Sequence, residues 1–303
     1  MVTPVKEYAD WMRARMPDFS GLKYAVDCSN GMASLLAHEL FHSAVIINDT
    51  LDGHFPNHSP NPLKADAREQ AATLVRELGL DCAVIFDGDA DRCMFVDERG
   101  EFVQPDYLIP VVARGCGDLA GATVIHDVRT SRGAIEALVA AGAKPLMVPV
   151  GHAFAKPALR EANALCGGEL AGHYYFRDFH YCDSGILAAI RILGEVASAR
   201  RRGETFSQMM EPISEKYANS GELNYRVEDK DAAIARVLAA AAAHLPLEIG
   251  RSEIDGIRLE YKEGWVNIRK SNTEPYLRLI VECDNKARLA QWIELLSGQI
   301  NAG

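Results

Sequence analysis

Three aspartates stand at alternate positions directly after an apolar run, in the segment Val84–Arg92 (VIFDGDADR). If the run is a buried strand, Asp87, Asp89 and Asp91 converge only where the chain curls, and the small residues between them permit that curl. Clustered carboxylates raise one another's pKa unless a cation joins them. Because oxygen ligands of this kind favour a hard divalent ion, the spacing predicts a Mg²⁺ site.

Three other interpretations of these aspartates are open. The first is a solvated acidic loop that binds nothing. The second, an EF-hand, matches the aspartates but requires Gly where Arg92 stands, and requires helices where strand-like runs flank the motif. The third is a phosphatase of the haloacid dehalogenase type, in which Asp87 would be the nucleophile and Thr or Val would be expected in place of Asp91.

A second polar segment, Arg269–Pro275 (RKSNTEP), concentrates hydrogen-bond donors, and another arginine follows it closely. Guanidinium groups, hydroxyls, an amide and loop N–H groups together fit a phosphate bound as a dianion. The alternative is a hairpin connection whose polar residues only cap the turn. The candidate phosphate-binding residues are Arg269, Ser271, Asn272, Thr273 and Arg278.

Two further regions carry weaker signals. The segment Gly167–His173 (GGELAGH) surrounds Glu169 and His173 with glycines, which allow a ligand such as a sugar to approach closely. A structural turn explains this segment equally well. Arg129 and His152 each follow a predicted strand, where they fit either an anion at a helix N-terminus or simple helix capping.

Apolar runs alternate with amphipathic segments along most of the chain, a pattern typical of α/β layers. The predicted fold class is α/β, with two successive α/β/α mixed-sheet domains followed by a smaller α+β domain. The predicted domain boundaries are 1–104, 105–216 and 217–303, so that each domain contains one of the three main motifs.

Individual elements follow from the same periodicity. The principal predicted strands are 23–27, 44–48, 81–86, 123–126, 145–148, 224–227, 256–261, 265–269 and 277–283, with a hairpin at 94–96 and 101–103. The principal predicted helices are 32–42, 65–78, 133–141, 184–202, 231–244 and 286–300. Gly167 and Gly168 are expected to open a loop.

Composition and charge exclude several classes of protein. The 303 residues include 32 Lys and Arg against 42 Asp and Glu, a formal net charge of -10, which argues against nucleic acid as the main partner. The sequence has no run of about 18 apolar residues, so we expect no membrane partner. The seven cysteines include no C-x-x-C pair and are expected to be buried thiols in a reducing cytoplasm.

Taken together, the motifs resemble those of the α-D-phosphohexomutases, the phosphomannomutase/phosphoglucomutase family. Asp87–Arg92 is similar to the family's metal loop D-G-D-x-D-R, Glu169–His173 to its sugar-binding loop G-E-x-S-G-H, and Arg269–Pro275 to its phosphate loop R-x-S-N-T-E-P. The resemblance covers nearly the whole chain, and the three motifs are far more specific jointly than singly.

The resemblance implies an isomerase that transfers a phosphoryl group between the 1- and 6-positions of a hexose phosphate. In that family a phosphoserine donates the phosphoryl group, a hexose bisphosphate forms and turns around, and the other phosphate returns to the serine. Mg²⁺ would neutralise charge that develops during the transfer. By position, the metal ligands would be Asp87, Asp89 and Asp91, the catalytic residues Arg92, His152 and Arg129, the sugar ligands Glu169 and His173, and the phosphate ligands those named above.

Two departures from the family pattern matter. Ala171 stands where the sugar-binding loop has Ser, so the preference between glucose and mannose phosphate is left open. The family's first domain carries the phosphorylated serine in a T-x-S-H-N-P-type loop, and no such motif occurs in the sequence. Ser59 lies in a segment with His and Ser reversed and is not a candidate nucleophile.

The chain is therefore expected to represent domains two to four of the family and to be inactive alone. A separate N-terminal phosphoserine domain is an expected partner. The alternative is a phosphosugar-binding remnant without catalysis.

Overall fold

Three β-sheets form the framework of the residues that the structure, a computed structural model, describes, namely 4–271 and 274–302. The first sheet consists of β1 (Tyr24–Asp27), β2 (Val45–Ile47), β3 (Cys82–Phe86), β4 (Cys93–Asp97) and β5 (Phe102–Val103). Its strand order is β2-β1-β3-β4-β5. Strand β1 runs parallel to β2 and β3, whereas β3, β4 and β5 pair antiparallel.

The second sheet repeats the arrangement of the first. It consists of β6 (Thr123–Asp127), β7 (Lys144–Val148), β8 (Cys166–Gly168), β9 (Tyr174–Phe176) and β10 (Cys182–Asp183). Its order is β7-β6-β8-β9-β10, with β6 parallel to β7 and β8 and the other pairs antiparallel. The β3–β4 loop and the β8–β9 loop therefore occupy equivalent places, and these loops carry the metal and sugar motifs.

Helices cover the faces of the sheets. They are α1 (Pro4–Arg13), α2 (Ala37–Leu40), α3 (Asp66–Leu78), α4 (Ile109–Cys116), α5 (Arg132–Ala140), α6 (His152–Glu161), α7 (Gly185–Arg201), α8 (Phe206–Ser214), α9 (Lys230–His244) and α10 (Lys286–Asn301). Val75 of α3 packs with Ile85 of the first sheet, and Leu159 of α6 packs with Ile125 of the second. In the described ranges, no helix is both long and apolar enough to cross a membrane.

One hydrophobic core joins the first two sheets. Helix α7 contributes Leu187 and Leu193 to a cluster of buried side chains that also contains Phe86 of the first sheet and Phe176 of the second. Burying apolar surface stabilises a fold by about 25 cal/mol per Å². The shared core therefore fixes the metal and sugar loops relative to each other.

The third sheet is antiparallel throughout. It consists of β11 (Ala218–Asn219), β12 (Leu223–Arg226), β13 (Glu248–Ser252), β14 (Ile257–Tyr261), β15 (Gly264–Lys270) and β16 (Tyr276–Cys283). Its order is β11-β16-β15-β14-β13, and β12 pairs with β16 as well. Val237 of α9 and Trp292 of α10 pack in one buried cluster with Val266 and Val281 of the sheet. The predicted fold class, two mixed-sheet α/β units followed by an α+β unit, is confirmed.

Two predictions about elements are wrong. The helix predicted at 32–42 is a 3₁₀ turn, Met32–Leu35, followed by the short α2, because the backbone at Leu36 (φ -127°) interrupts the helix. The glycines expected in a loop instead lie in the buried strand β8. A Cβ on Gly168 would lie 2.7 Å from Cγ1 of Ile109, so glycine is what lets helix α4 pack closely on this strand.

Asp106, in the 3₁₀ turn Pro105–Leu108, is a buried carboxyl whose Oδ2 accepts the Ser131 N–H at 2.9 Å. Burial raises the pKa of this carboxyl to about 7. The folded protein therefore binds more protons than the unfolded chain, whose Asp titrates at about 3.9. Because the unfolded state binds fewer protons in this window, the free energy of unfolding falls as the pH rises from about 4 to about 7.

We expect Asp106→Asn, which keeps an acceptor oxygen for Ser131, to flatten that pH dependence. Linkage sets the contribution of the carboxyl at about 4 kcal/mol at most, since each unit of pKa difference corresponds to about 1.4 kcal/mol. Urea unfolding of both proteins at pH 5 and pH 8 measures the effect. Equal losses of stability in the two proteins would assign the pH dependence to other groups.

Candidate active site

The metal motif forms a tight loop between β3 and β4. The left-handed backbone of Ala90 (φ 63°) turns the chain. As a result, one carboxylate oxygen from each of Asp87, Asp89 and Asp91 lies within 4.8 Å of the others. The predicted convergence is present, and the strands on both sides of the loop exclude an EF-hand.

Close backbone contacts hold the metal loop in place. The Met32 N–H donates to the carbonyl of Gly88 at 2.9 Å, and a Cβ on Gly31 would lie only 2.5 Å from that same oxygen. On the other side, the N–H of Gly185, at the start of α7, donates to the Ala90 carbonyl at 3.1 Å. Glycine at positions 31 and 185 thus lets two other segments support the loop.

Arg92 holds the innermost aspartate. Its Nε donates to Oδ2 of Asp87 at 2.7 Å, and its backbone N–H donates to Oδ1 at 3.1 Å. Burial raises the pKa of the Asp87 carboxyl to about 6, although the positive charge of Arg92 acts to lower it. A divalent cation would relieve this cost of a buried charge, so three converging carboxylates fit Mg²⁺.

Glu169 is buried at the N-terminus of α6. Its Oε2 accepts the Gly151 N–H at 3.1 Å, and its Oε1 accepts a hydrogen bond from the Tyr175 hydroxyl. Burial, together with the nearby charge of Asp127, raises the pKa of this carboxyl. The helix N-terminus favours the negative charge.

His173 connects the sugar loop to the metal loop. It pairs with Arg92 in an isolated antiparallel bridge, and its Nδ1 lies 3.1 Å from Oδ2 of Asp183 and 3.7 Å from Oδ2 of Asp91. Burial opposes the charge of the imidazole, yet the hydrogen bond to Asp183 and the charge of Asp91 raise the pKa of His173 overall. Lys156 lies 2.8 Å from the other oxygen of Asp183.

The candidate phosphate ligands line a pocket of about 280 Å³ between the second and third units. Arg269 on β15 lies directly opposite Arg278 on β16. The lining residues are Val150, Gly151, His152, Ala153, Phe154, Arg269, Ser271 and Arg278. The structure thus brings His152 together with three of the phosphate candidates, whereas Asn272 and Thr273 lie outside the described residues.

Arg129 does not line this pocket, and only 4% of its side chain is exposed. Its Nη2 donates to Oδ2 of Asp127 at 2.7 Å and lies 3.8 Å from Oε2 of Glu169. Asp127 also accepts the N–H of Leu170 at 3.0 Å. These surroundings favour a role in holding the sugar loop over a role in proton transfer.

The candidate residues form a continuous path across the molecule. Asp91 of the metal loop is next to His173, whose ring centroid lies 6.2 Å from that of His152. His152 in turn lines the pocket that contains Arg269. Sequence reasoning missed two acids beside this path, Asp183 and Glu222, because neither belongs to a motif.

Comparison with known proteins identifies the family. Three models of the phosphoglucomutase/phosphomannomutase family match consecutive parts of the chain: alpha/beta/alpha domain II at residues 6–100, alpha/beta/alpha domain III at 104–217 and the C-terminal domain at 222–297. The chain belongs to the phosphoglucomutase/phosphomannomutase family.

Relatives in this family support the assignment over most of the chain. A protein of Xanthomonas campestris named "Phosphohexose mutases" is 38% identical over 275 residues, which are 89% of this chain and 60% of that protein. A phosphomannomutase of Escherichia coli is 34% identical, over 93% of this chain and 63% of that protein. The chain thus spans less than two thirds of the length of these relatives.

The structural similarity is equally extensive. The crystal structure of a phosphoglucomutase/phosphomannomutase family protein from Burkholderia thailandensis superposes with a TM-score of 0.86 and 28% sequence identity. The match covers 98% of this chain and 64% of that one. The fold of this chain is therefore that of a solved member of the family.

Proposed function

We propose that this chain forms the metal-, sugar- and phosphate-binding part of a phosphohexomutase. The reaction would move a phosphoryl group between the 1- and 6-positions of a hexose phosphate through a hexose bisphosphate. The observation that carries the proposal is the continuous path from the metal loop, through His173 and His152, to the arginine pocket.

Asp87, Asp89 and Asp91 would hold Mg²⁺, which when bound supplies positive charge for the oxygens of the transferring phosphoryl group. The convergence of their oxygens and the raised pKa of Asp87 support this assignment. Arg92 would present its guanidinium group beside the same site, since its Nε donates a hydrogen bond to the carboxylate of Asp87.

The sugar and the second phosphate would occupy the rest of the path. Glu169 would accept hydrogen bonds from sugar hydroxyls, and protonated His173 would donate one. In the first transfer, the O–P bond of a phosphoserine breaks and an O–P bond to a sugar hydroxyl forms, so the hydroxyl proton has to leave. In the second transfer, the other O–P bond of the bisphosphate breaks, its sugar oxygen takes up a proton, and the phosphoryl group returns to the serine. His152, in the pocket beside Arg269, is the candidate to receive that proton or to contact the phosphate.

We expect Arg269→Ala to weaken binding of glucose 1-phosphate by about 1.5–3 kcal/mol, the scale of a hydrogen bond to a charged group. Calorimetric titration of both proteins measures this. A matched control is Arg251→Ala, which removes an exposed arginine of β13 from the same unit. Equal affinities of wild type and Arg269→Ala for glucose 1-phosphate would show that this pocket is not part of the substrate-binding site.

The 303 residues contain no T-x-S-H-N-P-type loop, so we propose that the phosphoserine is supplied by a separate domain. The test is a coupled assay of glucose 1-phosphate conversion by the chain alone and after addition of a phosphorylated serine domain. We expect no turnover alone and turnover in the mixture. Turnover by the chain alone would contradict the assignment of the serine to another domain.

Two outcomes of that assay would favour a different function. Binding of glucose 1-phosphate without turnover in the mixture would favour a phosphosugar-binding protein without catalysis. Steady release of inorganic phosphate by the chain alone, abolished by Asp87→Asn, would favour a phosphatase in which Asp87 is the nucleophile.

A further inference from the structure

Two arginines of the phosphate pocket face each other across neighbouring strands. Arg269 of β15 and Arg278 of β16 are direct cross-strand partners, so their side chains project from the same face of the sheet. Like charges directly opposite one another destabilise a sheet. The cost is larger here because only 2% of the Arg269 side chain and 16% of the Arg278 side chain are exposed. This pair needs an anion.

Glu222 supplies that anion in the structure. Its Oε1 accepts a hydrogen bond from Nη2 of Arg269 at 3.0 Å, and its Oε2 lies 2.9 Å from Nη1 of Arg278. The same Oε1 accepts from Nη1 of the buried Arg129 at 3.5 Å. A single carboxylate therefore contacts three guanidinium groups, two from the third unit and one from the second.

Glu222 leaves the two facing arginines incompletely satisfied. Among the described residues, neither Nε of Arg269 nor Nε of Arg278 has a hydrogen-bond partner, although both atoms are buried. The other acids nearby are Asp255, 3.8 Å from Arg269, and Glu274, which contacts Arg278. A phosphate dianion offers more acceptor oxygens and more charge than one carboxylate, and so can satisfy both arginines better.

We propose that Glu222 is a resident counter-anion of the phosphate pocket. It positions Arg269 and Arg278 while the pocket is empty, and the incoming phosphate competes with it for their N–H groups. The competition lowers the affinity for phosphate and requires a dianion to displace or share the carboxylate. This inference rests on the proposed function of the pocket as a binding site for a phosphate group of the substrate.

Whether Glu222→Gln strengthens or weakens phosphate binding distinguishes a competing counter-anion from a purely structural residue. The substitution keeps the size of the side chain and removes the competing charge, so we expect inorganic phosphate and glucose 1-phosphate to bind about tenfold more tightly or better. If Glu222 only braced the arginines, its loss would loosen them and weaken binding. Glu222→Asp keeps the charge on a shorter side chain and should fall between wild type and Glu222→Gln.

The experiment is a calorimetric titration of inorganic phosphate, and separately of glucose 1-phosphate, at fixed ionic strength. Glu294→Gln is the matched control, because Glu294 is an exposed residue of α10 in the same unit, and we expect it to bind like wild type. Weaker or unchanged binding by Glu222→Gln would overturn the proposal. If that variant does not fold, Glu222→Asp decides in the same way, tighter binding supporting the proposal and equal or weaker binding contradicting it.

The Arg269→Ala variant separates the role of Glu222 from the role of the pocket as a phosphate site. If wild type binds glucose 1-phosphate through Arg269 and Glu222→Gln binds no more tightly, only the role of Glu222 is wrong. If neither wild type nor Glu222→Gln binds either ligand, the pocket is not a phosphate site, and both proposals fail.

Discussion

Replacing Arg129 with alanine is expected to lower the free energy of unfolding by about 3–5 kcal/mol, the cost of removing one partner from a buried ion pair. Arg129 and Asp127 are both almost fully buried, and their ion pair is 2.7 Å long. Burial opposes the charge of each group, yet each is held ionised by its partner: the pKa of Arg129 is raised and that of Asp127 is lowered.

Without the guanidinium group, two carboxylates would be left buried together. Asp127 would lose its only adjacent cation among the described residues, and Glu169, 3.8 Å from the same group, would lose part of its compensation. Urea unfolding at pH 7 measures the loss. The control is Arg202→Ala, which breaks an exposed pair with Glu204, and surface pairs contribute about 0–1 kcal/mol. Similar losses of unfolding free energy in the two variants would mean that the buried ion pair contributes little to stability.

Replacing Asp87 with asparagine is expected to weaken Mg²⁺ binding by about tenfold or more, because the most buried of the three converging carboxylates loses its charge. Since burial raises the pKa of Asp87 to about 6, protons compete with the metal. Binding of Mg²⁺ to the wild type should therefore weaken as the pH falls below about 6.

Calorimetric titration with Mg²⁺ measures this directly, without any need for catalysis. The control is Asp118→Asn, which changes an exposed carboxylate on a loop of the second unit. Thermal unfolding without metal adds a second readout, because loss of a costly buried charge should leave the Asp87→Asn variant no less stable than wild type. Equal Mg²⁺ affinities in Asp87→Asn and wild type would exclude the loop as the metal site.

The sequence predicts the fold class and the places where chemistry can occur, because both depend on local patterns. Apolar runs such as Val84–Phe86 become buried strands, and polar residues at their ends become loops. The glycine pair 167–168 is different. These glycines lie in a strand because Ile109 and Ile125 pack closely against their backbone. No local sequence pattern encodes that packing.

Two of the helices that the sequence did not predict, α6 and α8, have weak local signals. Helix α6 contains Pro157 and helix α8 contains Pro212, and proline inside a segment lowers the expectation of a helix. Both helices form because their buried residues, such as Leu159 and Met210, pack into the core. Tertiary packing outweighs local propensity in both cases.

The partners of the site residues were the hardest to predict. Asp183 and Glu222 are isolated acids in the sequence, and only the fold brings them to His173 and to the facing arginines. The sequence pattern predicts two successive mixed-sheet units, but the strand order that they share lies in hydrogen-bond pairing rather than in residue identity. The metal and sugar loops meet where Arg92 and His173 form an antiparallel bridge.

The measurement that tests the central claim most directly is a calorimetric titration of the wild-type chain with glucose 1,6-bisphosphate in the presence of Mg²⁺. A chain that carries the metal, sugar and phosphate sites of a phosphohexomutase should bind one molecule of this bisphosphate, and removal of Mg²⁺ should weaken the binding. A titration without binding heat, confirmed by the absence of any shift in the thermal unfolding temperature, would contradict the account.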